Sequence, residues 1–93
     1  MEQITIEQLK ELLQAKVGED ITVVMSGIVS TEIYIEKMVF MITRTKIELG
    51  NETRTGIAEI EISRDYMDDI MYNKDRRDVE LILQVDEKII LEL

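Results

Sequence analysis

Ser63-Arg64-Asp65-Tyr66-Met67-Asp68-Asp69-Ile70-Met71-Tyr72-Asn73-Lys74 decides the fold class, because it interrupts a long run of strand-like sequence. Ser63 is a good N-cap, and Ile62 and Met67 take the two positions of a hydrophobic staple. Asp65, Asp68 and Asp69 fall in the first turns and Lys74 in the last, with Arg76 and Arg77 just beyond. That is the charge order a helix dipole favours. Tyr66, Met67, Ile70 and Met71 supply an apolar face at three- and four-residue spacing. The pattern predicts a short second helix here.

Upstream, Thr5 and Gln8 stand in capping-box positions, with Ile4 and Leu9 as the staple. Ile6, Leu9, Leu12, Leu13 and Val17 make one helical stripe, and Gly18 can end it in a left-handed conformation. A first helix is expected from Ile6 to about Lys16. From Ile21 the period changes to two. Ile21, Val23 and Met25 alternate; Ser26-Gly27 reads as a bend, since Ile28 and Val29 continue the strand. Ser30-Thr31-Glu32 reads as a turn. Ile33 to Ile42 is rich in β-branched and aromatic residues, and Met38 to Ile42 is apolar at every position, as in a strand covered on both faces. Ile47 and Leu49 alternate before a Gly50-Asn51 turn, and Ala58, Ile60 and Ile62 alternate with Glu59 and Glu61. Beyond the second helix, Val79, Leu81, Leu83 and Val85 alternate, Asp86-Glu87 can turn, and Ile89, Leu91 and Leu93 alternate again.

Short connections favour antiparallel pairing. The expected class is therefore α+β: an N-terminal helix, a strongly curved antiparallel sheet of about five strands, and a second helix before the last strands. By element order this resembles a small SH3-like or Sm-like barrel, with an open sheet carrying both helices as the other arrangement. Residues 1–93 read as a single domain, without linker, repeat or low-complexity segment.

The chain has 93 residues, 20 acidic and 11 basic, with no Cys, His, Pro or Trp. Lacking Cys, it has no thiolate nucleophile, disulfide or thiolate zinc site; lacking His, it cannot assemble a Ser–His–Asp or Cys–His centre. Only carboxylate chemistry remains open. The amino terminus has neither a basic n-region nor an apolar h-region, and no apolar run reaches membrane-spanning length, so a cytoplasmic, soluble protein is expected. A net charge of −9 repels nucleic-acid phosphates on average and suits a basic partner.

Tyr66-Met67-Asp68-Asp69 resembles the YMDD element of reverse transcriptases, whose paired carboxylates hold catalytic metal ions. The resemblance implies Mg²⁺-assisted phosphoryl transfer through Asp68 and Asp69. In a capped helix these acids instead point about 100° apart and stabilise the N-terminus. Asp65 and Asp69, four apart, form a weaker metal pair, with Arg64 and Lys74 as competing counterions. The glutamates Glu32, Glu36, Glu48, Glu59 and Glu61 read as a solvated sheet face rather than a glycosidase pair. Neither cofactor nor metal is expected.

Lys37, Arg44, Lys46 and Arg54 lie in the central strands, and Lys74, Arg76 and Arg77 form a cluster able to contact phosphate. Aromatics able to stack on bases are limited to Tyr34, Phe40, Tyr66 and Tyr72. The surplus is apolar. Met38, Phe40, Ile42, Ile82 and Ile90 give the second sheet face its own hydrophobic set, which one helix cannot cover. The other helix, sheet closure or another subunit must do so. The expectation is a non-enzymatic module for self-association or for docking a protein partner, such as a small adaptor or a phage or prophage assembly component. A nucleic-acid-binding small barrel is the alternative, with acid mimicry of DNA and a Mg²⁺-dependent enzyme behind it.

Overall fold

The computed structural model describes residues 1–27, 30–54, 56–63, 67–83 and 87–93. Among them the chain forms one helix, α1 (Ile6–Gln14), and nine strands: β1 (Glu2–Gln3), β2 (Ile21–Ser26), β3 (Thr31–Ile35), β4 (Val39–Ile42), β5 (Lys46–Gly50), β6 (Ala58–Glu61), β7 (Met67–Asn73), β8 (Asp78–Leu83) and β9 (Lys88–Glu92). Among the described residues no helix is long and apolar enough to cross a membrane.

The capping box forms as its sequence dictates. Thr5 Oγ1 accepts from the Gln8 N–H at 3.2 Å, and Gln8 Oε1 accepts from the Thr5 N–H at 2.8 Å. Two otherwise orphaned donors are thereby satisfied. Leu9 and Leu13 are fully buried, and the helix ends two residues before Lys16, where Lys16 N donates to Leu13 O in a tighter turn. Gly18 follows at φ 85°, a conformation that glycine adopts without a side-chain clash.

The strands form two antiparallel sheets rather than one curved sheet. The larger has the order β1-β7-β8-β9-β2-β3 and the smaller β4-β5-β6. This overturns the barrel or open sheet of about five strands with two helices. The stretch expected to be the second helix contributes β7 instead, from Met67 onward. Ile70 and Tyr72 alternate inward and pair with Leu81 and Val79 of β8. On its other side β7 is bordered by β1, with Gln3 opposite Met71, and Ile4 N donates to Ile70 O at 2.9 Å. A strand with neighbours on both sides satisfies its backbone completely, which an isolated three-turn helix gains only from its own ladder. The cations read as helix-terminal lie in a hairpin turn. Asn73 Oδ1 accepts from Asp75 N at 3.1 Å and Arg76 N at 3.3 Å, and Arg77 takes φ 58°.

Thr31, expected in a turn, begins β3 opposite Met25. The readings placed on Ile28 and Val29, on Arg64, Asp65 and Tyr66, and on Val85 and Asp86 lie outside the described residues.

Both sheets and the helix share one core, built from Leu9 and Leu13, Ile21 and Val23, Ile35, Ile47 and Leu49, Ile60, Val79 and Leu81, and Leu91. Met38 belongs to it, at 0% exposure, between the two sheets along the chain. Its backbone is held as firmly: Met38 N donates to Glu19 O at 2.9 Å, and Gly18 N donates to Met38 O at 2.8 Å. Met38→Ala is expected to cost about 2–5 kcal/mol in urea unfolding. Met41→Ala, at a site 54% exposed, is expected to stay within about 0.5 kcal/mol. Equal effects would contradict this placement of the two methionines.

Candidate interaction surfaces

The five apolar residues expected to share one surface are separated. Met38 is in the core. Phe40 and Ile42 are half-buried against that core from β4, on the face where Ile47, Leu49, Ala58 and Ile60 also point. Ile82 and Ile90 lie on the outward face of the larger sheet, half-buried. There Ile90 stands between Glu80 and Val24, and Ile82 between Asp69 and Lys88. Lys88 Nζ meets Glu80 Oε1 at 2.8 Å, so a paired chain runs across the two isoleucines. Long charged side chains cover apolar surface with their methylene stems, which keeps this face from being a bare patch.

Among the described residues, exposed apolar side chains include Met25 and Tyr34 on the larger sheet and Met41 on the smaller. Val39 and Met41 alternate to its outward side, with Met41 opposite Glu48 on β5, and Glu48 opposite Glu59 on β6. Two carboxylates facing each other would repel. Lys46 Nζ stands between them, at 3.0 Å from Glu48 and 3.6 Å from Glu59. The Lys46 ammonium, followed by hydrogen bonding with Glu59, holds the Glu48 carboxyl below its ordinary range. Glu48 in turn raises Lys46. A depression of about 110 Å³ beside β4 is lined by Val39, Phe40, Met41, Glu48, Leu49 and two glycines. It is smaller than the roughly 300–1,000 Å³ of small-molecule sites.

A larger depression of about 380 Å³ on the six-stranded sheet is lined by Met1, Asn73, Arg76, Asp78, Glu80, Lys88 and Ile90. Its charges answer one another, Lys88 with Glu80 and Arg76 with Asp78 at 4.0 Å. Of the residues expected to contact phosphate, Lys74, Arg76 and Arg77 are all exposed in the β7–β8 turn. Lys74 lies 3.6 Å from Glu2, and Asp75 interrupts the cluster. Among the described residues the exposed aromatic is Tyr34, on β3 at the edge of the same sheet away from β1.

The residues resembling the YMDD element fall only partly within the described residues. Asp69 is in β7, where Gln3 Nε2 donates to its Oδ1 at 2.8 Å, and the strand register shifts between Met67 and Asp69. The pairing of Asp65 with Asp69 lies outside the described residues, since only Asp69 is among them. Among the described residues no three His, Cys, Asp or Glu side chains converge on a metal-sized site.

Sequence spacing gave no sign of one further constellation. Tyr34, 60% exposed, donates its hydroxyl to Asp20 Oδ2 at 2.5 Å, and Asp20 Oδ1 accepts from the Lys37 N–H at 3.1 Å. One carboxylate thus ties the approach to β2, the strand β3 and the link to β4. Its signal would have been a tyrosine at an outward strand position facing an acid that precedes the neighbouring strand. The Tyr34 hydrogen bond, then the Lys37 N–H, lowers the Asp20 carboxyl, and Asp20 raises the Tyr34 hydroxyl.

No protein-family model matches the chain, and no curated protein matches it.

A lowered Asp20 contributes stability above its ordinary value near 3.8, lost as pH falls through the folded value. A raised Tyr34 contributes below its ordinary value of 10.0, lost as pH rises through the folded value. Urea midpoints should therefore fall less steeply below about pH 4 in Asp20→Asn than in the parent chain. Tyr34→Phe should flatten both limbs. Unchanged limbs in both variants would show that the Tyr34–Asp20–Lys37 hydrogen bonds add nothing to stability.

Proposed function

We propose that the protein is a non-enzymatic interaction module of the cytoplasm, working by self-association or by docking a partner protein. One observation carries the reading: β4, at an edge of the smaller sheet, consists only of apolar residues, with Met41 54% exposed. Sheet edges are ordinarily blunted by charges or kept very short. The other three edges follow that rule: β6 carries Glu59 and Glu61, β3 carries Glu32, and β1 has two residues. An apolar edge left uncharged favours association.

Catalysis is less well supported. A general acid needs a raised carboxyl, whereas Asp20 and Glu48 are both lowered by their partners. Nucleic-acid binding has exposed cations in its favour, but Lys74 and Arg76 already face Glu2 and Asp78.

Size-exclusion chromatography with light scattering, over about a hundredfold range of concentration, separates the two modes. A mass that rises with concentration, and no longer rises in Met41→Asp, selects self-association. A constant monomer mass selects docking of another protein. Single-stranded RNA and DNA are expected not to bind; binding that weakens steeply between about 50 and 200 mM salt would replace this reading with the nucleic-acid one.

A further inference from the structure

We infer that the open edge of β4 takes an extended segment of a basic partner protein as an added strand, an inference that rests on the interaction-module reading. The phase of the ladder identifies which backbone groups are on offer. Thr43 N donates to Lys46 O at 2.9 Å, so Thr43 and Lys46 form a hydrogen-bonded pair. Ile62 N donates to Thr45 O at 2.8 Å, which turns the odd-numbered residues of β5 toward β6 and the even-numbered ones toward β4. Antiparallel ladders alternate hydrogen-bonded and non-hydrogen-bonded pairs. Met41 and Val39 therefore direct their N–H and C=O groups at Glu48 and Gly50, their partners in register. Phe40 and Ile42 direct theirs to the other side, where no strand among the described residues pairs with β4. Met38 has the same phase, and its N–H and C=O are bonded to Glu19 and Gly18. The loop after α1 thus closes the head of this edge and fixes where an added strand begins.

Side-chain alternation then sets the chemistry of the occupant. Residues of the added strand next to Phe40 and Ile42 extend the buried face and must be apolar. The residue beside Met41 falls on the outward face, in register across Met41 with Glu48 and then Glu59, while Lys46 and Glu61 face each other in the neighbouring row. A lysine or arginine there is complementary, and Met41 is a pliable surface over which its stem can lie. The segment is thus an apolar–basic–apolar triplet in extended form. A second copy of the chain fits less well. It would bring one net charge of −9 against another.

The test titrates the full 15N-labelled chain with a capped peptide of alternating valine and lysine, roughly five residues long, and with its valine–glutamate counterpart. The lysine peptide is expected to bind saturably, more weakly as salt rises. The amides of Phe40 and Ile42 should exchange about tenfold more slowly, while those of Val39 and Met41, already in the ladder, should not change. Glu48→Lys and, separately, Glu59→Lys should each weaken binding about tenfold with folding intact by circular dichroism. Absence of binding, equal binding of the glutamate peptide, or protection at the β3 edge instead would overturn the inference. If the lysine peptide fails while light scattering shows a dimer that Met41→Asp abolishes, this inference falls and the interaction reading stands.

Discussion

Two hydrogen bonds to the backbone of Met38, with its side chain buried between the sheets, fix how the two halves of the molecule are joined. The chain leaves β3 at Ile35 and enters β4 at Val39, so it has only residues 36–38 in which to pass from one sheet to the other. Lys37 makes that passage by adopting φ 51°, an uncommon conformation for a non-glycine residue. Such a conformation persists where its surroundings over-determine it. Here they do: Asp20 accepts from the Lys37 N–H on one side, and Glu19 and Gly18 hold Met38 on the other. The helix terminus, the start of β2 and the crossing between sheets are therefore one hydrogen-bonded unit.

That unit also explains the asymmetry of the smaller sheet. Its inward face is filled by Phe40, Ile42, Ile47, Leu49 and Ile60, closed against the shared core. Its outward face is wet and acidic apart from Val39 and Met41. Because Met38 must be buried and Val39 begins the strand, the pleat gives β4 no freedom to turn its apolar residues the other way: a shift of one residue would expose Phe40 and Ile42. The exposed Met41 follows from the same register.

Much of the local structure was legible in the residues themselves. The Thr5–Gln8 capping box and the Leu9 and Leu13 stripe locate the helix because they are interactions between near neighbours. The alternating runs around Ile21, Ile47, Ala58, Val79 and Ile89 locate strands for the same reason. The stretch from Met67 to Asn73 is ambiguous because Met67, Ile70 and Met71 satisfy a helical spacing while Ile70 and Tyr72 satisfy a strand spacing. Long-range neighbours decide between them, and β1 arrives from about 70 residues away in sequence. Met38 to Ile42 has the composition of a strand covered on both faces. It is instead a buried anchor followed by an edge strand, and nothing in five consecutive apolar residues distinguishes the two. The supposed common surface of Met38, Phe40, Ile42, Ile82 and Ile90 dissolved because it assumed one sheet where there are two.

The position of β9 has its own consequence for how the molecule comes into being. Residues 88–92, the last strand in chain order, lie between β8 and β2 in the middle of the larger sheet. During synthesis the β2–β3 hairpin emerges early, and one flank of β2 lacks its neighbour until residues 88–92 have emerged as well. The smaller sheet, by contrast, is built from hairpins local in sequence and can close sooner. Nascent chains should thus pass through a stage in which β2 is an open edge, and the interval before Lys88–Glu92 emerges is when the protein is most exposed to mispairing and most dependent on the cell's folding machinery.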